Sequence, residues 1–363
     1  LCTLCTAQKY ITPPTNLLIP RKFFSAASCS STNMIYFAGG MITKSPYTYT
    51  KSVEIFNIFT NQSFNNMTLT NAVRDPAAAS TSRYAVFAGG ENNDFTFNSI
   101  DIFDSVSFTK KVSNLSISRT WITSASLNGI VYYAGGVSKN YVSFYNNIDI
   151  VNPTTGVVTY ATLSNARAGM AGAADSVCVY FAGGVDVNWM VSKTIDYFCP
   201  LLYDTTWKTG QLTIARAMVS AFSSPTSYGD NYPVLIAGGL LGGSDGTLNY
   251  IPTNIVESLN IEYQIIQGSY VRVLVTSRLS NLSVPRAYMQ PVQFSSKSSN
   301  EQIAFVGGAT VINGQFTTLT TIDIFKGDGT FVDTLNMPNP LDGFAAVSIN
   351  DRFVGSNEGY GIL

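Results

Sequence analysis

With 363 residues, 45% of them hydrophobic and 12% charged, the chain can bury a large core in a single domain spanning 1–363, and nothing in it reads as disordered. Its 21 basic and 22 acidic residues leave a net charge of −1, which excludes a broad basic surface for nucleic acid or anionic lipid. No apolar run reaches the roughly eighteen residues that a membrane-spanning helix needs.

In chain order, the first residue is Leu1 rather than Met, which fits a mature terminus left by cleavage, as of a signal peptide, or a truncated chain. Cys2-Thr3-Leu4-Cys5 has redox or metal spacing, but a lone pair lacks the further ligands of structural zinc, so Cys2 and Cys5 are expected to staple the terminus. Cys29 is either a buried small residue or a partner for one of them. Residues 18–337 then carry six repeats. Each opens with an arginine followed by small and apolar residues, at Arg21, Arg74, Arg119, Arg167, Arg216 and Arg286. An apolar run ending in a glycine pair follows: Ile35–Gly40, Ala85–Gly90, Val131–Gly136, Val179–Gly184, Val234–Gly239 and Ile303–Gly308. The first glycines of these pairs lie 50, 46, 48, 55 and 69 residues apart, the last two intervals lengthened by insertions.

A second apolar run in each repeat holds an acid in constant register, Glu54, Asp101, Asp149, Asp196, Glu257 or Asp323. A weaker fourth run, as in Val157–Leu163 and Thr206–Leu212, precedes the next arginine. The runs are short, β-branched and aromatic, bounded by Gly, Asn, Ser and Pro, without helical periodicity, so the fold class is all-β. Strands apolar on both faces fit sheets sandwiched between neighbouring sheets. Residues 338–363 read as a partial seventh repeat, with Gly355 lying 48 residues after Gly307. Within residues 1–17, the segment Gln8–Leu17 is expected to supply the strand that closes this last unit.

The glycine pair after one strand, the acid in the next and the opening arginine together resemble the kelch-repeat β-propeller family over nearly the whole chain. The resemblance implies four-stranded blades, seven by this reading and six if the termini only decorate the ring. The family's outer-strand tryptophan has one counterpart here, Trp207, so the repeats are divergent. In propellers of this family, arginines at this place hold acidic peptide side chains, which suits a guanidinium fork. The same arginines could equally pair with acids of their own or the next blade. Copper radical oxidases and iron-dependent specifier proteins of this type use histidine, and the sequence contains none.

That absence also removes Ser-His-Asp and Cys-His catalysis and histidine-ligated metal, so no cofactor, metal or catalytic residue is expected. The opening arginines and the loops after the glycine pairs should share one face. Those loops carry Tyr47, Tyr49, Phe95, Phe97, Tyr141, Phe144, Tyr145, Trp189 and Tyr250, a candidate set of anchors if they do not simply pack loop against loop. Cys178 and Cys199 should lie nearly opposite each other in one hairpin, within disulfide reach. Asn61, Asn66, Asn114 and Asn281 begin N-glycosylation sequons.

The expectation is a non-enzymatic, secreted interaction or structural module that binds a protein partner or copies of itself. A carbohydrate-binding or carbohydrate-active propeller is the alternative, and a cytoplasmic kelch adaptor the third reading.

Overall fold

Runs dense in valine, isoleucine and aromatics form strands because side chains on a pleated surface suit branched and flat shapes, and the Gly, Asn and Ser between them supply the turns. The computed structural model describes residues 17–356 apart from 61, 224–232, 244, 247, 267–268, 296–301, 338–339, 341–344 and 350–351. Six antiparallel four-stranded sheets follow one another in the chain. Sheet 1 is Ser25–Cys29, Met34–Ala38, Ser52–Asn57 and Gln62–Thr68; sheet 2 is Ala77–Ser80, Tyr84–Ala88, Ser99–Asp104 and Thr109–Asn114. Sheet 3 is Thr123–Leu127, Ile130–Ala134, Asn147–Asn152 and Val157–Thr162; sheet 4 is Ala171–Ala174, Val179–Ala182, Thr194–Phe198 and Lys208–Gln211. Sheet 5 is Ser220–Phe222, Val234–Ala237, Ile255–Ile266 and Ser269–Asn281; sheet 6 is Gln290–Ser295, Gln302–Val306, Thr321–Lys326 and Phe331–Asn336. A two-stranded hairpin, Ala345–Ile349 with Arg352–Ser356, comes last.

Within each sheet the strands lie side by side in chain order, from the innermost to the outermost. The innermost strands of successive sheets touch in turn from sheet 1 to sheet 6, and the final hairpin touches the innermost strands of both sheet 6 and sheet 1. This is a propeller-like arrangement. The core is divided accordingly, one apolar cluster per joint between sheets. Tyr36, Ala38, Phe87 and Phe103 fill the joint of sheets 1 and 2, while Tyr132, Ala134, Val179 and Phe181 fill that of sheets 3 and 4. The Tyr133 hydroxyl, fully buried, donates to the Val86 carbonyl at 2.9 Å and satisfies across a joint what burial would otherwise leave unpaired.

The glycine pairs explain how neighbouring sheets come so close. Gly135 has φ 63° and Gly136 φ 107°, the left-handed region that side chains disfavour. A Cβ on Gly135 would stand 2.3 Å from the Arg167 carbonyl oxygen, the same oxygen that accepts the Gly136 N–H at 3.0 Å. The pair is thus the hinge pin between one sheet and the chain entering the next.

Two features depart from the sequence reading. The segments after the glycine pairs are not all irregular loops: Met41–Lys44 with Tyr47–Tyr49, and Ala309–Ile312 with Gln315–Thr318, form β-hairpins. The outer hairpin of sheet 5, with strands of 12 and 13 residues, is also far longer than the run around Glu257 suggested. The proposed closing segment Gln8–Leu17 lies outside the described residues except for Leu17, which is buried against Phe24 and Ala345.

Candidate binding face

The linkers from each outermost strand to the next innermost strand, and the segments after the glycine pairs, lie at the same end of the sheets. The opening arginines stand there but do not present their charge. Arg21, Arg119, Arg167, Arg216 and Arg286 are at most 1% exposed. Each pairs with the acid of its own sheet: Arg21 with Glu54 at 3.4 Å, Arg119 with Asp149 at 2.5 Å, Arg167 with Asp196, Arg216 with Glu257 at 2.5 Å and Arg286 with Asp323 at 2.8 Å. Strand-end carbonyls take further guanidinium N–H groups, as Gly183 does from Arg167 and Ile255 from Arg216; Arg119 Nε donates to Gly135 at 2.7 Å, while Nε of the other four is buried without a hydrogen-bond partner among the described residues. Burial pulls the guanidiniums below their ordinary proton affinity, Arg21 to about 10, against the raising effect of the paired acid. Five of the six arginines assigned to a binding face are therefore corrected to interior staples, because a strand-end guanidinium left in contact with a buried acid satisfies both.

The acids have a second duty. Asp149 accepts the backbone N–H of Ser116 at 2.6 Å, and Asp196, Glu257 and Asp323 accept those of Ser164, Thr213 and Ser283 at 2.8–2.9 Å. Each donor sits in the linker from the preceding sheet, so one carboxylate ties the arginine, its own sheet and the incoming chain together.

Sheet 2 breaks the pattern. The carbonyl that meets the preceding glycine pair belongs to Val73, whereas in sheets 3 to 6 it belongs to the arginine itself. Val73, 2% exposed, thus occupies the staple position, and Arg74 is displaced one residue onward. Asp101, without a guanidinium, pairs with Lys110 at 2.7 Å and takes the Thr70 hydroxyl at 2.6 Å. Arg74 itself is 30% exposed and reaches Glu91 at 2.6 Å. Glu91 follows a glycine pair where the other sheets have Met41, Val137, Val185, Leu240 and Ala309, and it is 1% exposed. Its other oxygen meets Lys139 Nζ at 3.3 Å. Burial would lower Arg74, but the Asp75 and Glu91 carboxylates beside it hold its guanidinium above the ordinary value.

Asp75 belongs to a row of residues with left-handed backbone, two positions past the staple in each sheet: Phe23, Asp75, Trp121, Gly169, Met218 and Tyr288, with φ between 51° and 63°. Members of the row bond from sheet to sheet, Asp75 N–H to the Phe23 carbonyl at 2.8 Å and Met218 N–H to the Gly169 carbonyl at 2.8 Å. Asp75 is the one charged member. Surrounded by protein yet with 31% of its side chain accessible, it is pushed up to about 7 by burial, which outweighs the attraction of Arg74.

Around this row stand the aromatics. Trp121, Tyr141 and Trp189 pack with ring centroids 4.9, 6.2 and 6.3 Å apart, and Phe144 joins Trp189 at 5.9 Å. All three of the first group are left-handed, with φ 54°, 59° and 58°, which for bulky side chains costs of order 1–3 kcal/mol each. Burial raises the proton affinity of the Tyr141 phenol, and Glu91 and Arg74 act on it in opposite senses, which places the aromatic and charged groups side by side. Tyr250 and Tyr288 form a second group about Phe316, at 5.9 and 6.1 Å. Tyr47 and Phe95 are 54% and 63% exposed, and the Tyr49 hydroxyl donates to Asn93 at 2.7 Å. Tyr145 is half-buried and bonds through its N–H to Gly136.

Sequence reasoning missed Asp75, Glu91, Trp121 and Tyr288. A charge where five repeats are apolar was the available signal for Glu91; Trp121 and Tyr288 share a fixed offset from their arginines.

Cys178 and Cys199 form a disulfide at the paired ends of two adjacent strands of sheet 4, Cys178 just before Val179–Ala182 and Cys199 just after Thr194–Phe198. Cys29 is buried and its thiol is pushed up to about 12 by burial, while Cys2 and Cys5 lie outside the described residues. Asn61 also lies outside them, Asn66 is on the outermost strand of sheet 1, and Asn114 and Asn281 are exposed at outermost-strand ends. Among the described residues, no three His, Cys, Asp or Glu side chains group to hold a metal, and no helix is long and apolar enough to cross a membrane.

No family model matches the chain, and no curated protein matches it in sequence. Solved structures do match in fold, 555 chains in all. One of them, described as "Structure of YjhT", is 14% identical with a TM-score of 0.60, covering 89% of this chain and 99% of its own. That likeness concerns the fold.

Proposed function

We propose that this chain is a seven-bladed propeller of the kelch type that acts as a non-enzymatic, extracellular recognition module, receiving its partner on the face built around Trp121, Tyr141 and Trp189. The blade count is supported by the final hairpin, which touches the innermost strands of both sheet 6 and sheet 1. The recognition role rests on one observation: three half-buried aromatics held together in left-handed backbone conformations at the end of the sheets. Strain of this kind persists where it serves a site, and rigid half-exposed aromatics are the usual anchors of interfaces. The buried disulfide of sheet 4 and the exposed Asn114 and Asn281 side chains suit an oxidising, secretory setting.

Footprinting by radical labelling tests the face without knowledge of the partner. Protein labelled in its native extract should show Trp121 and Trp189 protected relative to purified protein; protection confined to other surfaces overturns the assignment. Intact mass before and after glycosidase and reduction tests the compartment, with a bare, fully reduced chain counting against secretion.

A further inference from the structure

The charges of sheet 2 indicate what kind of partner the face accepts. Three substitutions of the repeat coincide there: valine at the staple position, glutamate at an apolar position and aspartate in a row that is otherwise apolar or glycine. Glu91 is saturated, with one oxygen on Arg74 at 2.6 Å and the other on Lys139 at 3.3 Å. Lys139 is further held by the Asn92 carbonyl at 2.5 Å, and Arg74 lies 6.0 Å above the Phe23 ring. Arg74 Nε, which faces Asp75, has no hydrogen-bond partner among the described residues, so Lys139 and Glu91 alone are fully committed.

Asp75 is not. Its nearest cationic atom, Arg74 Nε, is 3.8 Å away, beyond hydrogen-bond reach, and among the described residues its carboxylate accepts no hydrogen bond. Its raised proton affinity is the electrostatic expression of that deficit, set by burial and by Glu91, with Arg74 opposing and the Tyr49 and Tyr141 phenols nearby. A carboxylate so placed is stabilised by any donor that enters, a positive one most. The rings beside it select the same sign, since aromatic faces attract cations. The centroid distances of 4.9–6.3 Å leave no cavity inside the aromatic group, so a ligand rests against its surface, next to the aspartate, and is not caged within it.

We propose that Asp75 anchors a cationic side chain, a lysine or arginine of a protein partner, which lies along the Tyr141 and Trp121 rings with its charged end on the carboxylate. This rests on the reading that the face receives a partner, and it reverses the charge expected from the opening arginines: five of those guanidiniums are buried, and the accessible carboxylate that accepts no hydrogen bond among the described residues is Asp75.

The probes are the capped tripeptides Gly-Lys-Gly and Gly-Glu-Gly, titrated against the full chain with tryptophan fluorescence and ligand-observed NMR as readouts. The lysine peptide should bind saturably, about tenfold more tightly than the glutamate peptide, the margin of one charge-assisted hydrogen bond. Its affinity should rise between about pH 5.5 and about pH 8 as the carboxyl loses its proton, and fall with salt. Asp75→Asn should abolish the difference between peptides, while Asp75→Glu, which keeps the charge, should retain part of it. Equal binding of both peptides, or equal binding by Asp75→Asn, overturns the assignment. Footprinting in native extract separates the two ideas: protection of Trp121 and Trp189 that is unaltered in Asp75→Asn leaves the recognition face standing and removes the cationic anchor, whereas no protection removes the face itself.

Discussion

At Val73, sheet 2 gives up the guanidinium that the other five sheets keep, and Asp101 takes Lys110 at 2.7 Å in its place. The two arrangements differ in burial: both members of the Arg119–Asp149 pair are fully buried, while Lys110 is 27% exposed. Removing one partner of a buried, hydrogen-bonded ion pair leaves the other charge uncompensated, at a cost of about 3–5 kcal/mol. Asp149→Ala should therefore lower the denaturation midpoint much more than Asp101→Ala, whose partner can turn to water; equal losses in urea melts would contradict the staple. Asp75 carries a pH signature of its own. A carboxyl with folded proton affinity near 7 and an unfolded value near 4 binds more protons when folded, so its contribution to stability is present below about 4 and is lost as pH rises toward 7. Asp75→Asn should match the wild type in melting temperature at acid pH and exceed it at pH above 7, as differential scanning calorimetry would read.

Among the elements, the hinge glycines and the strand pairing show what could be read from the sequence and what could not. The repeat of glycine pair, acid and arginine was visible because each answers a purely local demand: positive φ at Gly135, a buried acceptor at Asp149, a fork of donors at Arg119. Whether an arginine faces inward depends on a single residue of register, and Arg74 follows its neighbours in sequence while departing from them in space. Charge count cannot reveal that, and the 13-residue strand Ser269–Asn281 reaches sheet 4 through Thr276, a contact between sheets that no local pattern displays. The sequons illustrate the same point: in Asn114-Leu115-Ser116 and Asn281-Leu282-Ser283 the leucine is buried and the serine N–H caps an acid, so both positions have a place in the fold apart from any glycan. Gly135→Ala should be strongly destabilising, since its Cβ would collide with backbone at 2.3 Å, whereas Gly129→Ala, with nothing within 4 Å, should cost only the strain of its positive φ. Thermal melts of the two variants give the comparison. Loss of the Cys178–Cys199 bridge, which closes 21 residues, should cost about 3 kcal/mol, seen as a lower melting temperature of Cys199→Ser in the absence of reductant.

For the molecule as a whole, stability is divided among joints, each with its own apolar cluster, and sheet 4 has the shortest outermost strand, the four residues Lys208–Gln211. The long hairpin of sheet 5 reaches across to it. Arg272 bridges to Asp204 at 2.7 Å, the Thr276 hydroxyl donates to the Gln211 carbonyl at 2.8 Å, and Leu274 covers Gly210. A four-residue peripheral strand would ordinarily be among the first segments to open and let its amide protons exchange with solvent. Here it cannot leave before the hairpin lifts from it, so its exchange should be governed by the opening of the neighbouring sheet, and Leu274→Ala should speed exchange at Lys208–Gln211 more than at the outermost strand of sheet 3. Sheets 4 and 5 are thus expected to breathe as one.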